Sequence, residues 1–342
     1  DEVATYENIT LRGGMCSEDI QTTVKAGTAT LEYTGDGTAV WFWRDACAPV
    51  FTEVDNLFGE QPYQNFGSEV LSLSEPGMYQ VKLQVDGRTV HTGYVVVDGE
   101  VDRSWQWSRP VGASTATYSV DWSFQFSDYL GYHERDVVRG ADDESYARFV
   151  VVDDDILSLE AALSNAYTKV HGHEPVAGSQ DYADYLLSFV QVCFSYPPMI
   201  EELYDGVYAE SSDGSPDTYL YGQVEYWAYP METLYMGEGD CEDTSFLASA
   251  LFSAAGYESA LATPPGHMMA LVVVDGYQRD FLYEFYNVGM QCWHFTTNTG
   301  QVYYFCETTY DNAVPVGYSS ISMAGDLSTV RDITLVPAYS AS

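Results

Sequence analysis

Alternation of apolar and polar residues, cut by turn signals, runs through the first hundred residues and then gives way to a helical period. Ala29 to Tyr33, Ala39 to Trp43, Tyr79 to Val85 and Thr89 to Val97 each read as a short strand. A period of two puts every second side chain on one face, so these segments demand sheets with a buried side. Asp86-Gly87 lies between two of them and suits a two-residue hairpin turn. The expectation is a small all-β sandwich over residues 1–98, with a boundary at Asp98-Gly99-Glu100. Residues 99–342 then form a second domain.

That second domain mixes strands with helices. Thr115 to Phe126 reads as an aromatic-rich strand whose rings belong in a core. Asp153-Asp154-Asp155 precedes the apolar run Ile156 to Leu163, an N-cap with an acidic first turn. Asp181 to Phe194 is an amphipathic helix stopped by Pro197-Pro198. Residues 205–224 are rich in Gly, Ser, Asp and Tyr and read as a long loop. Cys241 to Ala255 reads as a helix ended by Gly256, Ala260 to Thr263 as a short strand, and His267 to Val274 as a strongly apolar strand. A hairpin centred on Thr299 follows. The whole predicts an α+β chain. The run from Glu75 to Gly87 also resembles the last strands of immunoglobulin-like or PKD-like surface modules.

Charge narrows the partners. Asp and Glu number 51 against 13 Lys and Arg, a net charge of −38. Such a field repels nucleic acid and anionic lipid, so neither is expected as a partner. The acids are spread along the chain, as in a solvated surface suited to salt or to an extracytoplasmic setting. No apolar run reaches the roughly 20 residues of a membrane span. A chain opening on Asp1 is expected to be a processed ectodomain, extracellular or on the cell surface. Six cysteines fit that compartment if some pair. Cys16 and Cys47 share the all-β region, and Cys292 and Cys306 flank the Thr299 hairpin and would face each other across it. These two bridges leave Cys193 and Cys241 as thiols. Cys193 shares an apolar helix face with Leu186 and Phe189 and reads as core.

Chemistry concentrates around Cys241. It stands in Gly239-Asp240-Cys241-Glu242-Asp243 at the start of a helix. A helix N-terminus favours a thiolate through its free N–H groups, but Asp240, Glu242 and Asp243 work against it. A positive partner is therefore needed, and an imidazolium supplies it. His267 opens the next long strand, and Glu307 on the far strand of the hairpin can accept from its other nitrogen. Asp275 and Glu284 are alternatives for that acid. One oxyanion donor is the Cys241 backbone N–H. Gln191, on the preceding helix, is the candidate for a second, with Trp227 and Tyr229 as rivals.

Gly239 to Asp243, Pro265-Gly-His-Met-Met-Ala-Leu-Val272 and Tyr303-Tyr-Phe-Cys-Glu-Thr-Thr309 resemble the three core motifs of the transglutaminase-like superfamily, most closely its archaeal members. Phe189-Val-Gln191 and Tyr229-Pro-Met-Glu-Thr-Leu234 resemble two further stretches, so the likeness spans about residues 115–320. It implies a papain-like α+β domain and a triad of Cys241, His267 and Glu307. Much of the superfamily has Asp where this chain has Glu307. The superfamily includes protein cross-linkers, peptidases and deamidases, all working through a Cys thioester. The expected substrate is a protein or peptide amide, with hydrolysis favoured over cross-linking because transamidation must exclude water. A non-catalytic surface module keeping the fold is the alternative.

No cofactor or metal is expected. His171-Gly-His173-Glu174 suits a polar loop better than a helical zinc pair, and Asp205 to Asp217 lacks the regular EF-hand spacing.

Overall fold

The computed structural model describes residues 3–6, 9–12, 23–25, 27–50, 63–67, 70–140, 146–203, 207–328, 330 and 333–337, the first three stretches in backbone only. The chain is mixed α and β, with antiparallel sheets and eight α-helices among these residues, an α+β organisation. It divides into two compact units. One holds Asp1–Asp102, Ser123–Gly131 and Pro198–Gln223; the other holds Arg103–Trp122, Tyr132–Pro197 and Val224–Ser342. Among the described residues no helix is long and apolar enough to cross a membrane.

The first unit is built from two sheets sharing one core. One sheet orders Val3–Tyr6, Ile9–Arg12, Ala29–Tyr33 and Val70–Leu73; the other orders Thr23–Lys25, Arg88–Asp98, Gly77–Val85, Ala39–Asp45 and Gln64–Asn65. Leu31 and Leu71 from the first meet Trp41, Val81, Leu83 and Val95 from the second, all fully buried. These are alternate residues along their strands, which is the period-two pattern of the sequence realised as packing. Asp86 and Gly87 make the expected turn, with φ of 52° and 76°, and pair Val85 with Arg88. Both left-handed residues match the twist that such a hairpin needs. The Asp86 carboxylate also accepts from the Thr38 backbone N–H at 2.9 Å. The strand ends at Asp98, and Glu100–Val111 begins after a single glycine.

The alternation over Glu100–Val111 was not read as a strand, yet it pairs with Ser114–Gln125 in a two-stranded sheet. Trp107 explains the pairing: it stacks on Tyr118 at 5.3 Å, packs on Tyr185 and Phe189, and donates its indole N–H to Ser188 Oγ at 3.1 Å. The expected loop 205–224 contains the strand Tyr208–Glu210 and the helix Pro216–Tyr221. Pro at the helix start and Gly222 in the left-handed region after its end make that short helix local.

In the second unit a five-stranded antiparallel sheet orders His294–Thr296, Val302–Cys306, Met269–Val272, Ser259–Ala262 and Thr334–Leu335. Ala260, Ala262, Met269, Leu271, Tyr303 and Phe305 share one face and one core. Against the sheet packs the helix Cys241–Ala254, which also touches the helices Asp154–His171, Gln180–Cys193 and Pro230–Met236. Ser245, Ala248, Ser249 and Ala250 are small enough to let it be enclosed, and all are buried. The helix Asp154–His171 begins as expected: the Asp153 carboxylate accepts from the Ile156 N–H at 2.9 Å.

The expected Cys292–Cys306 bridge is not made, and both residues are free thiols. The hairpin ladder stops at the pair His294 and Tyr304. Beyond it the chain leaves the sheet, so Cys292 pairs with Tyr318 and its sulfur meets the Tyr277 hydroxyl at 3.2 Å. Cys306 turns into the fully buried core. Cys16 lies outside the described residues, and Cys47 is buried.

Candidate active site

Three chain ends meet at one place. The helix Cys241–Ala254 begins there, with Asp240 as its cap; the Asp240 carboxylate accepts from the Glu242 N–H at 3.2 Å and the Asp243 N–H at 3.5 Å. The strand Met269–Val272 begins two residues after His267, and the strand Val302–Cys306 ends one residue before Glu307. Their register pairs Ala270 with Cys306, which carries His267 and Glu307 just past the same end of the ladder. Thr308 and Thr244 share a hydroxyl hydrogen bond of 2.8 Å, and Ser245 donates to the Met268 carbonyl at 3.3 Å. Both ties run from the start of the helix to the residues flanking the two strands.

His267 Nε2 and Glu307 Oε2 are 2.9 Å apart. The other Glu307 oxygen accepts from the Thr309 backbone N–H at 3.2 Å and the Thr309 hydroxyl at 2.8 Å. Burial pushes the Glu307 carboxyl up, but the bonds from His267 and Thr309 outweigh it and hold the group below its usual range. For His267, burial pulls the imidazole down; the hydrogen bond and charge of Glu307, with the charge of Glu242, reverse this, and the net shift is upward. With Nε2 turned to Glu307, Nδ1 is the nitrogen left to exchange a proton.

Cys241 is nearly buried, at 7% exposure. Its thiol donates to Glu242 Oε2 at 2.8 Å. Burial, the charges of Glu242 and Asp240, and this hydrogen bond raise the thiol well above its ordinary value, opposed by the Met268 backbone N–H that points at the sulfur. The resting sulfur is therefore a neutral thiol whose proton is held by its neighbour in sequence. Sequence could name the acidity of this run, but not which acid takes the proton. Replacing Glu242 by Gln removes the acceptor charge, so the thiol pKa falls. The expected result is an increase of about tenfold in Cys241 alkylation by iodoacetamide at pH 7.5, the effect of about one pKa unit. A slower alkylation would make Glu242 the base.

Gln191 does not serve as an oxyanion donor. It is 1% exposed, and its amide nitrogen donates to the carbonyls of Glu307 at 2.6 Å and Val314 at 3.2 Å. Its oxygen accepts from the Val314 N–H at 2.9 Å. Both amide hydrogens are spent on fixing the backbone around Glu307. The rivals are engaged as well: the Trp227 indole N–H donates to Glu225 at 2.6 Å, and the Tyr229 backbone N–H to Glu232 at 2.9 Å. Among the described residues the Cys241 backbone N–H has no recorded acceptor, as expected for the first N–H of a helix. The Met268 N–H, unnoticed in sequence, is turned to the Cys241 sulfur itself. A backbone donor leaves no side-chain signature by which it could have been found.

The alternative acids lie elsewhere. Glu284 pairs with Arg279 at 2.7 Å, and Asp275 bonds the Gly178 carbonyl through its own N–H at 2.8 Å. Cys193, expected in the core, is only half-buried, and burial pushes its thiol up to about 12. His171 stacks on Tyr167 and meets the Tyr118 hydroxyl at 2.8 Å. Asp240, Cys241 and Glu242 bring three possible metal-ligand atoms within 4.8 Å of one another. Two of these side chains are already joined by the thiol hydrogen bond, and the third caps the helix.

Below the site lies a buried ionic network. Glu232, with no exposure, accepts from Arg139 at 2.6 Å, Tyr226 at 2.7 Å and the Tyr229 N–H at 2.9 Å, and His133 lies at 3.1 Å. The adjoining Ala228 N–H donates to Asp243 in the first turn of the Cys241 helix at 2.8 Å. Burial pushes the Asp243 carboxyl well above the usual carboxylate range. Compared with protein-family models, with curated proteins and with solved structures, the chain finds no match in any of the three.

Proposed function

We propose that this chain is a cysteine-dependent acyl-transfer enzyme acting on protein or peptide amides. The observation that carries the reading is the 2.9 Å hydrogen bond between His267 and Glu307, beside the helix start that holds Cys241 and is tied to Thr308 and Met268. The motif resemblance to the transglutaminase-like superfamily supports it. So does the layout of a helix with Cys at its start against two antiparallel strands flanked by His267 and Glu307, which suits a papain-like arrangement. The two-sheet first unit suits an immunoglobulin-like module in the same way.

The chemistry follows from the groups present. Substrate entry breaks the hydrogen bond from the Cys241 thiol to the Glu242 carboxylate, and the thiol proton passes to His267 Nδ1. The sulfur attacks the amide carbonyl and a C–S bond forms. The Cys241 N–H, left without a helical acceptor, is the donor for the developing oxyanion. The C–N bond then breaks as the imidazolium returns its proton to the leaving amine, which gives a thioester. Water, deprotonated by the same imidazole, attacks the thioester and releases the acid and the thiol. Glu307 keeps the ring oriented and stabilises its cationic form throughout.

Hydrolysis is the favoured outcome, and amine acceptance with cross-linking is its rival. Fluorescent casein and a glutamine-containing dipeptide, with and without hydroxylamine, separate the two. Cleavage or ammonia release without an amine is expected, absent in Cys241→Ser. Hydroxamate formed faster than acid would mean transamidation. Wild type no better than Cys241→Ser on every substrate would leave a non-catalytic module. An extracytoplasmic location is proposed on the charge of −38, since the Cys292–Cys306 bridge no longer supports it.

A further inference from the structure

The second unit carries a cleft of about 1070 Å³ whose lining includes neither Cys241 nor His267. Such a volume slightly exceeds the roughly 300–1,000 Å³ of most small-molecule sites. Part of its wall is the helix Phe281–Tyr286, which buries none of its residues. Leu282 and Tyr286 line the cleft and are 65% and 75% exposed; Phe281, Phe285 and Val288 beside them are also exposed. Apolar surface of this kind marks a place where something docks.

Polar groups in the cleft narrow the occupant. Asp181, Asp184, Asp280 and Asp311 all line it, against a single cation, Arg109. Arg109 is already neutralised by Asp181 at 2.6 Å. Its Nε–H is nonetheless buried with no acceptor among the described residues. Asp184 accepts from the Val316 N–H at 2.7 Å, and burial pushes its carboxyl up to about 7. A cation arriving beside it would restore its charge. The site thus offers an N–H donor for a carbonyl, carboxylates for basic side chains, and apolar rings for apolar ones. The cleft wall 311–315 is also the backbone that Gln191 ties to Glu307.

We propose that this cleft holds an extended segment of the substrate polypeptide in which lysine or arginine alternates with large apolar residues. The apolar side chains lie on the helix Phe281–Tyr286, the basic ones face Asp184 and Asp311, and a backbone carbonyl takes the Arg109 Nε–H. A second copy of the chain is disfavoured as occupant by a net charge of −38 on each. The role as a substrate site rests on the acyl-transfer reading; the binding itself does not.

Fluorescence anisotropy with the full chain tests it, using fluorescein-labelled ten-residue peptides that alternate Lys with Leu, Lys with Ser, or Glu with Leu. The Lys/Leu peptide is expected to bind at least about tenfold more tightly than either control, and the double variant Leu282→Ser, Tyr286→Ser to weaken it about tenfold. Both replaced side chains are exposed, so the fold is retained. Asp311→Asn should weaken the Lys/Leu peptide about threefold. Equal binding of the Lys/Leu and Lys/Ser peptides, or no effect of the double variant, overturns the proposal. Displacement of the peptide by maltoheptaose, or self-association of the chain lost in the double variant, would give the cleft to another occupant and overturn it too. Alkylation of Cys241, measured on the same samples, reads the catalytic centre separately, so failure of one is not mistaken for failure of the other.

Discussion

Replacing His267 by Ala is expected to slow acylation of Cys241 by p-nitrophenyl acetate about 10³-fold while leaving the far-UV circular dichroism unchanged. The resting thiol lies well above its ordinary pKa because it is buried and because Glu242 holds its proton. Without an imidazole there is no group to take that proton in the transition state. The secondary structure is kept, because His267 lies before the start of its strand and Glu307 retains its bonds from Thr309. Glu307→Gln should lie between wild type and His267→Ala. The amide can still orient the ring, but its lost charge no longer supports the imidazolium. The sign on the pH axis follows. His267 is raised by Glu307, so removing that charge lets the imidazole lose its proton at a lower pH, and the acidic limb of the rate profile shifts down. An unchanged profile would detach Glu307 from His267.

The largest effect on stability is expected at Glu232. Its carboxylate is fully enclosed and serves four partners, so Glu232→Ala leaves Arg139 charged and buried with its main counter-ion gone. Removing one member of a buried pair costs about 3–5 kcal/mol. For a unit of roughly 200 residues that is about 6–20 °C in the midpoint of thermal unfolding. Glu232 is also held below its usual pKa: burial pushes it up, but His133, Arg139 and the Tyr229 N–H prevail. A carboxylate lowered on folding contributes stability above its unfolded pKa and loses it as pH falls through the folded one. The gap between wild type and Glu232→Ala should therefore close on acidification below about pH 4, read by melting curves across that range. A gap that stays constant would mean that the ionic network contributes little.

Local signals were legible where their causes are local. The helix opening at Cys241 and closed before Gly256 was legible, Asp86-Gly87 gave away its hairpin, and the spacing about Thr299 gave the pairing of Tyr303 with Phe295. The pairing of His267 with Glu307 could be anticipated because each lies just past the end of a strand in the same sheet. Three features could not. Gln191 looked available for catalysis because its partners, the carbonyls of Glu307 and Val314, lie more than a hundred residues away. Cys292 looked paired because the ladder was assumed to continue, whereas the chain leaves the sheet at Trp293, whose N–H bonds the Gly317 carbonyl at 2.6 Å. The run Phe281-Leu-Tyr-Glu-Phe-Tyr286 has the composition of a buried element, yet Asp280 caps it as a short helix on the surface. Composition reports how apolar a segment is; the rest of the fold decides whether anything covers it.

The most direct measurement is the intact mass of the chain, followed by peptide mapping, after brief exposure to p-nitrophenyl acetate at pH 7.5. A single acetyl group on Cys241, missing in Cys241→Ser and formed far more slowly in His267→Ala, is the predicted result. An acetyl group spread over Cys193, Cys292 and Cys306, or formed on Cys241 at the same rate without His267, would contradict an active site built from Cys241, His267 and Glu307.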